Sequence, residues 1–286
     1  MSNHNHYALI MAGGEGTRFA PLSTPERPKQ FLNLIDPKKS LLQQTYARLN
    51  KIFDKDRLMV GTNRRHLSLL QEQLPEIPRE NIFDEPQKKN TAPCLAWVTR
   101  HVWRQNKKAL IAAIPADHFV AKASPFLKCL ETALLKAQES QKIVLIGMQP
   151  TRPSPEYGYI HLPTATFVEK PDRQTAERYF REGNYLWNGG IFVYPAVKML
   201  ELFERHQPEM FALLQSAASM DAFFEKAPSI SIDYAIMEKT KELMVLPSSF
   251  VWSDVGTWDN LAHLAKHHSL NLSPEITKHF PQRARP

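Results

Sequence analysis

The chain has 286 residues, of which 43% are hydrophobic and 23% charged, the balance of a soluble globular protein with a substantial core. No apolar run approaches the roughly 18 residues of a membrane span, and the start, MSNHNHYALI, lacks the charged head, apolar stretch and cleavage site of a secretory leader, so no membrane partner and a cytoplasmic location are expected. The net charge of +7 would suit a polyanion, either nucleic acid or a nucleoside triphosphate, but Lys and Arg fall in short clusters (Lys38-Lys39, Lys88-Lys89, Lys107-Lys108, and Arg283 with Arg285) without the aromatic-interleaved basic stripe that tracks a nucleic-acid strand. Nucleic acid is therefore not expected as a partner.

The first apolar run, Tyr7 to Met11, reads as a buried strand that empties into Gly13, Gly14 and Gly16. Backbone amides unobstructed by side chains form a nest for phosphate oxygens, to which Arg18 and Lys29 add positive charge. The GK[ST] ending of a Walker A loop is missing, and Phe19 stands where the dinucleotide fingerprint needs its third glycine. Apolar residues at Leu41, Leu42, Tyr46, Leu49 and Ile52 predict a helix capped by Ser40. A strand from Arg57, a helix ended by Pro75, an extended NIFDEP segment and a helix from Cys94 to Trp103 follow. This strand–loop–helix rhythm predicts an α/β fold with a mainly parallel sheet covered on both faces.

The next strand, ALIAAIP, ends at Pro115 and leads at once to Asp117, at the carboxyl end where open α/β sheets collect ligands. A helix around Phe126 to Lys136, beginning near Ser124, leaves Asp117 free for another task than capping. After a strand at Lys142 to Met148, residues 151–172 are too rich in proline and glycine for a helix and predict a hairpin lying across the sheet. A helix from Thr175 to Glu182 leads to Asn188, Gly189 and Gly190, which precede a further strand. Three helices and a SIDYAIM segment, capped by Ser231 or Asp233, lead to ELMVLPSSFVWSDVGTW, read as one strand with Asp254 at its end. A helix opens at Trp258, and beyond about Lys266 the chain reads as a short helix and a loose tail. Residues 1–266 are thus expected to form the catalytic domain and 267–286 a tail. Cys94 and Cys129 have no metal or redox spacing.

Two isolated carboxylates at strand ends, Asp117 and Asp254, together with phosphate oxygens and water, are the donors a hard octahedral Mg²⁺ prefers. The eleven histidines are scattered or terminal, and His118 reads as a packing neighbour of the site. No G-x-S-x-G elbow is present.

In order along the chain, AGGEGTRFAPLS, RPKQF, KKNTAP, IPADH, PTRPSPEYGYI, FVEKPD, WNGGIF, SIDYAIMEK and WSDVGTW resemble the sugar-1-phosphate nucleotidylyltransferase family, in its mannose and GTP branch. The resemblance implies a Rossmann-like, GT-A-like nucleotide-diphospho-sugar transferase fold with a sugar-binding β-hairpin cover. It further implies transfer of GMP from GTP to mannose 1-phosphate with Mg²⁺, and allows a homodimer. Ala12, Gly13, Gly14, Gly16, Thr17 and Arg18 would wrap the nucleotide phosphates; Lys29 would face the groups that react or leave; Thr91 and Pro93 would line the base and ribose site. Asp117 and Asp254 would hold the metal and Asp117 also the nucleotide. Tyr157 and Gly158 would shape the sugar pocket, Glu169 and Asn188 would take sugar hydroxyls, and Lys170 would meet the sugar phosphate. The catalytic set implied is Arg18, Lys29, Asp117, Lys170 and Asp254. Ser154, Pro155 and Glu156 depart from the PETGYGYI pattern of many relatives. The chain stops soon after WSDVGTW, so the C-terminal isomerase-type domain of longer relatives is not expected. The alternatives are a relative using glucose 1-phosphate with ATP, UTP or dTTP, and a regulatory protein that binds sugar nucleotides without turnover.

Overall fold

Alternation along the first strand, β1 (His6–Ala12), decides the layering. Ala8, Ile10 and Ala12 enter one buried cluster, while Tyr7 and Leu9 enter another, the period-two pattern of a strand covered on both faces. The computed structural model describes residues 4–14 and 16–281. From β1 the chain runs through α1 (Leu41–Leu49), β2 (Leu58–Asn63), α2 (Leu67–Gln73), β3 (Ile82–Glu85), α3 (Thr91–Gln105) and β4 (Leu110–Pro115). Then come β5 (Phe119–Val120), α4 (Ala123–Ser140), β6 (Ile143–Met148), β7 (Tyr159–His161), β8 (Phe167–Val168), α5 (Arg173–Glu182) and β9 (Tyr185–Pro195). The remainder is α6 (Ala196–His206), α7 (Pro208–Ser216), α8 (Met220–Lys226), β10 (Leu243–Pro247), β11 (Trp252–Ser253), α9 (Trp258–His268) and α10 (Pro274–Thr277).

The main sheet has the order β10-β6-β9-β4-β1-β2-β3. All neighbours are parallel except β9, which runs antiparallel between β4 and β6. The predicted mixed, mainly parallel sheet with helices on both faces is what forms. Its hairpin cover is β7 with β8, joined to the first part of β9 through β7. Because β9 is antiparallel, Asn188, which lies inside this strand and not before it as expected, comes to the same end of the sheet as the last residues of β1 and β4.

Two expectations need correction. The segment read as one strand before Trp258 divides at Pro247: β10 completes the sheet edge, and β11 leaves it to pair antiparallel with β5, Ser253 opposite Phe119. This small ribbon brings Asp117 and Asp254 together. Beyond Lys266 the expected short helix forms as α10, but the described residues around it are packed and not loose. Ile276 and Phe280 are buried in a third apolar cluster with Phe19, Leu34, Phe119, Val255 and Leu261, beneath the glycine-rich turn; the signal missed was apolar spacing in a proline-rich stretch. Residues 282–286 of that expected tail, including Arg283 and Arg285, lie outside the described residues.

Phe280→Ala is expected to lower stability by about 3 kcal/mol through loss of a buried aromatic and to speed amide exchange in the Phe19 to Ser23 turn. Urea denaturation and hydrogen exchange by mass spectrometry check both effects.

Candidate active site

The turn after β1 is closed by the segment that follows it. Gly16 adopts a left-handed φ of 58°, and a Cβ there would lie 2.2 Å from Lys29 Cβ, so a side chain would push the loop off Lys29. Gln30, only 2% exposed, donates its amide to the carbonyls of Ala12 and Gly14 at 2.7 and 2.8 Å. Ser23 Oγ donates to the Gly16 carbonyl at 2.7 Å. Neutral groups thus hold the loop, leaving its cations for other partners.

Lys29 is buried, and its Nζ donates to Asp117 Oδ2 at 2.8 Å and to the main-chain carbonyl of Asp254. Burial alone would raise the Asp117 pKa, but the Lys29 ammonium more than offsets it and holds the carboxyl below its usual range. Asp117 is carried there by the β4 register: Ala116 N donates to the Met11 carbonyl at 3.0 Å, and Thr45 Oγ1 donates to the Ala116 carbonyl at 3.1 Å. The Asp254 side chain has different partners, accepting from Tyr157 Oη at 2.8 Å and from Asn260 Nδ2 at 3.4 Å. Arg18 is exposed, and a Cβ on Gly256 would lie 3.4 Å from its Nη1 and 2.8 Å from Asp254 Oδ2, so guanidinium and carboxylate flank the same glycine. His118 accepts from Trp252 Nε1 at 3.0 Å, and burial pushes its pKa down to about 4. It is a neutral ring that braces the ribbon.

Two clefts meet at the end of β4, both lined by Pro115. The first, of about 280 Å³, has Gly13, Gly14, Glu85, Lys88, Asn90, Thr91 and Cys94 in its walls. Thr91 opens α3, with Asn90 Oδ1 accepting from the Thr91 amide at 2.9 Å and Thr91 Oγ1 accepting from Ile232 N at 2.8 Å. Pro93 is buried in that first turn and is not among the lining residues; Ala12 is likewise buried, with its carbonyl taken by Gln30. Thr17 is exposed in the 3-10 turn that carries Arg18.

The second cleft, of about 170 Å³, is lined by Tyr157, Gly158, Glu169, Lys170, Asn188 and Asp254, among others. Gly158 allows Glu169 close approach, since a Cβ would meet its Oε2 at 2.5 Å. Asn188 is fully oriented: Oδ1 accepts from Gly190 N at 3.0 Å and Nδ2 donates to Asp233 Oδ1 at 3.0 Å, leaving one amide hydrogen for a ligand. Burial and the neighbouring Asp233 raise the Glu169 pKa to about 7, against the Lys170 ammonium 3.5 Å away. The departing segment is pinned, with Ser154 N donating to Tyr159 Oη at 2.9 Å. Asn90, Lys170 and Val255 stand at positive φ in the two clefts and beside the Asp117 and Asp254 junction, local strain of the kind that collects at functional sites.

Sequence reasoning assigned no place in the site to Glu85, Gln30, Trp252 or Asn260, and read Asp233 only as a candidate helix cap. Glu85 had a readable signal, since it is the last residue of β3 at the ligand-binding end of a parallel sheet. Burial raises its pKa to about 7. The roles of Asp233 and Asn260 depend on contacts 45 and 6 residues away, which no local spacing announces. Among the described residues no three His, Cys, Asp or Glu side chains are grouped to hold a metal, so a metal held by Asp117 and Asp254 would complete its shell with ligand and water oxygens. No helix of the described residues is long and apolar enough to cross a membrane.

A nucleotidyl transferase family model matches residues 7–269. A mannose-1-phosphate guanylyltransferase of Sinorhizobium fredii is 38% identical over 273 residues, covering 87% of this chain and 53% of that protein. One from Escherichia coli is 34% identical over 289 residues, covering 91% and 62%. The chain therefore spans about half to three-fifths of the length of these relatives. A Thermus thermophilus crystal structure described as mannose-1-phosphate geranyltransferase superposes with a TM-score of 0.81 at 36% identity, covering 91% of this chain and 79% of that one. With the family model matched from β1 through α9, the chain belongs to the nucleotidyl transferase family, among the sugar-1-phosphate nucleotidylyltransferases.

Proposed function

We propose that the chain transfers GMP from GTP to α-D-mannose 1-phosphate, forming GDP-mannose and releasing pyrophosphate. The observation that carries this reading is the junction of Lys29, Asp117 and Asp254 just beyond Pro115, the residue that two clefts of different chemistry share. The relatives named as mannose-1-phosphate guanylyltransferases support the choice of substrates. In the first cleft, Glu85 supplies a carboxylate, and guanine presents two adjacent donors, N1–H and the N2 amino group, that a carboxylate can accept together. The second cleft offers a carboxylate, an amide and a lysine to a phosphorylated sugar.

The chemistry needs no protein nucleophile. An ionised oxygen of the sugar phosphate attacks the α-phosphorus in line and pyrophosphate departs opposite, so the protein must orient two anions and offset their repulsion. Arg18 and Lys29 serve the triphosphate, and Lys170 the incoming phosphate. Tyr157 holds the Asp254 carboxylate from the sugar side, tying the shape of one cleft to the other. The two carboxylates of Asp117 and Asp254, the first already paired with a lysine cation, are hard oxygen donors that fit Mg²⁺. When bound there, the ion would neutralise charge on both phosphates.

Pyrophosphate release measured for each pairing of ATP, GTP, UTP or dTTP with mannose or glucose 1-phosphate should be greatest with GTP and mannose 1-phosphate; another best pair would refute the substrate assignment. Asp254→Asn should lower kcat by about 10²- to 10³-fold with the circular dichroism spectrum unchanged, and retention of full turnover would remove its role. Glu85 accepts from guanine only when ionised, so KM for GTP should rise as pH falls through about 7, the Glu85 pKa, and level off above it. Glu85→Gln offers one acceptor and one donor, and should raise KM for GTP roughly 10- to 100-fold while abolishing that pH limb.

A further inference from the structure

Lys29 is placed where it cannot meet phosphate and keep its present contacts. Its side chain is 6% exposed, its Nζ is bonded to Asp117 Oδ2 and to the Asp254 carbonyl, and its backbone is clamped by Gly16. The Phe19 ring, 5.9 Å from Nζ, closes another side. The ammonium thus joins the two residues that would hold a divalent cation, and it already neutralises Asp117.

We infer that Lys29 is a tethered stand-in cation: its ammonium takes the Asp117 oxygen that a divalent cation would use, and the metal's arrival displaces it. The inference rests on the metal role proposed for Asp117 and Asp254. Its consequence is an order in the site. A bare metal ion must compete with an internal charge for Asp117, whereas a metal that arrives on a triphosphate brings anionic oxygens to receive the displaced ammonium. The same side chain then changes partners, from carboxylate to phosphate, and no uncompensated positive or negative charge is left buried at either stage. The Asp254 carboxylate needs no such release, because its partners, Tyr157 and Asn260, are neutral donors.

The discriminating experiment is titration of the nucleotide-free protein with Mn²⁺, followed by electron paramagnetic resonance. Lys29→Met keeps the length of the side chain and removes the charge. It should bind Mn²⁺ about tenfold more tightly than the wild type, since one competing charge-assisted bond is gone; Lys29→Met with Asp117→Asn should lose the gain. Equal affinity in Lys29→Met and wild type overturns the displacement while leaving the metal role standing. Binding in neither, with or without GTP, overturns the metal role and the displacement with it. A second measurement uses the unaltered protein and is independent of how the variant folds. Trace acetic anhydride labelling, read by mass spectrometry, should show Lys29 acetylated several-fold faster in saturating Mn²⁺ than without it, relative to the surface residue Lys226. An unchanged ratio under metal saturation contradicts the displacement.

Discussion

The ion pair between Lys29 and Asp117, 2.8 Å long, ties together two loops that leave neighbouring strands of the sheet. Lys29 belongs to the loop that leaves β1, and Asp117 to the turn that leaves β4. Parallel pairing of β1 with β4 fixes the two exits side by side, and the β5 and β11 ribbon then delivers Asp254 from more than a hundred residues on. Everything else at the site either supports this junction or opens onto it. Gln30 and Ser23 hold the loop that carries Lys29; Trp252 and His118 brace the ribbon; Tyr157 and Asn260 orient the carboxylate of Asp254.

The junction also relies on residues that do no chemistry. The third apolar cluster sets Phe19 and Val255 against α9 and the described end of the chain, so the glycine-rich turn rests on packing contributed by the last residues. Val255 lies at a positive φ, unfavourable for a β-branched side chain; its complete burial in that cluster compensates for the strain. The loop can therefore be glycine-rich without being slack. Its conformation is set by the groups around it and the glycines only permit it.

Much of this arrangement was legible from local sequence. The strand–loop–helix rhythm gave the sheet its class, because buried strands read as apolar runs and amphipathic helices as a 3.6 period. Asp117 and Asp254 stood out since a carboxylate directly after an apolar run has left the core at the ligand-binding end. What local reading lost depends on distant partners. The division of the segment before Trp258 is decided by pairing with Phe119 and Val120, not by its own composition. The burial of Phe280 is decided by Phe19 and its neighbours. Thr91 and Pro93 look equivalent in the NTAP motif, yet the start of α3 puts one in the cleft wall and the other behind it. Asp233 looked like a helix cap and instead orients Asn188.

In the proposed reaction both substrates react directly across one junction, with the sugar phosphate as the attacking group. The most direct measurement is the stereochemical course of the reaction with a single diastereomer of guanosine 5′-(1-thiotriphosphate) and mannose 1-phosphate, followed by ³¹P nuclear magnetic resonance of the thio-substituted product. One in-line displacement predicts inversion of configuration at the α-phosphorus. Retention would require two displacements through a nucleotidylated side chain and would rule out direct transfer.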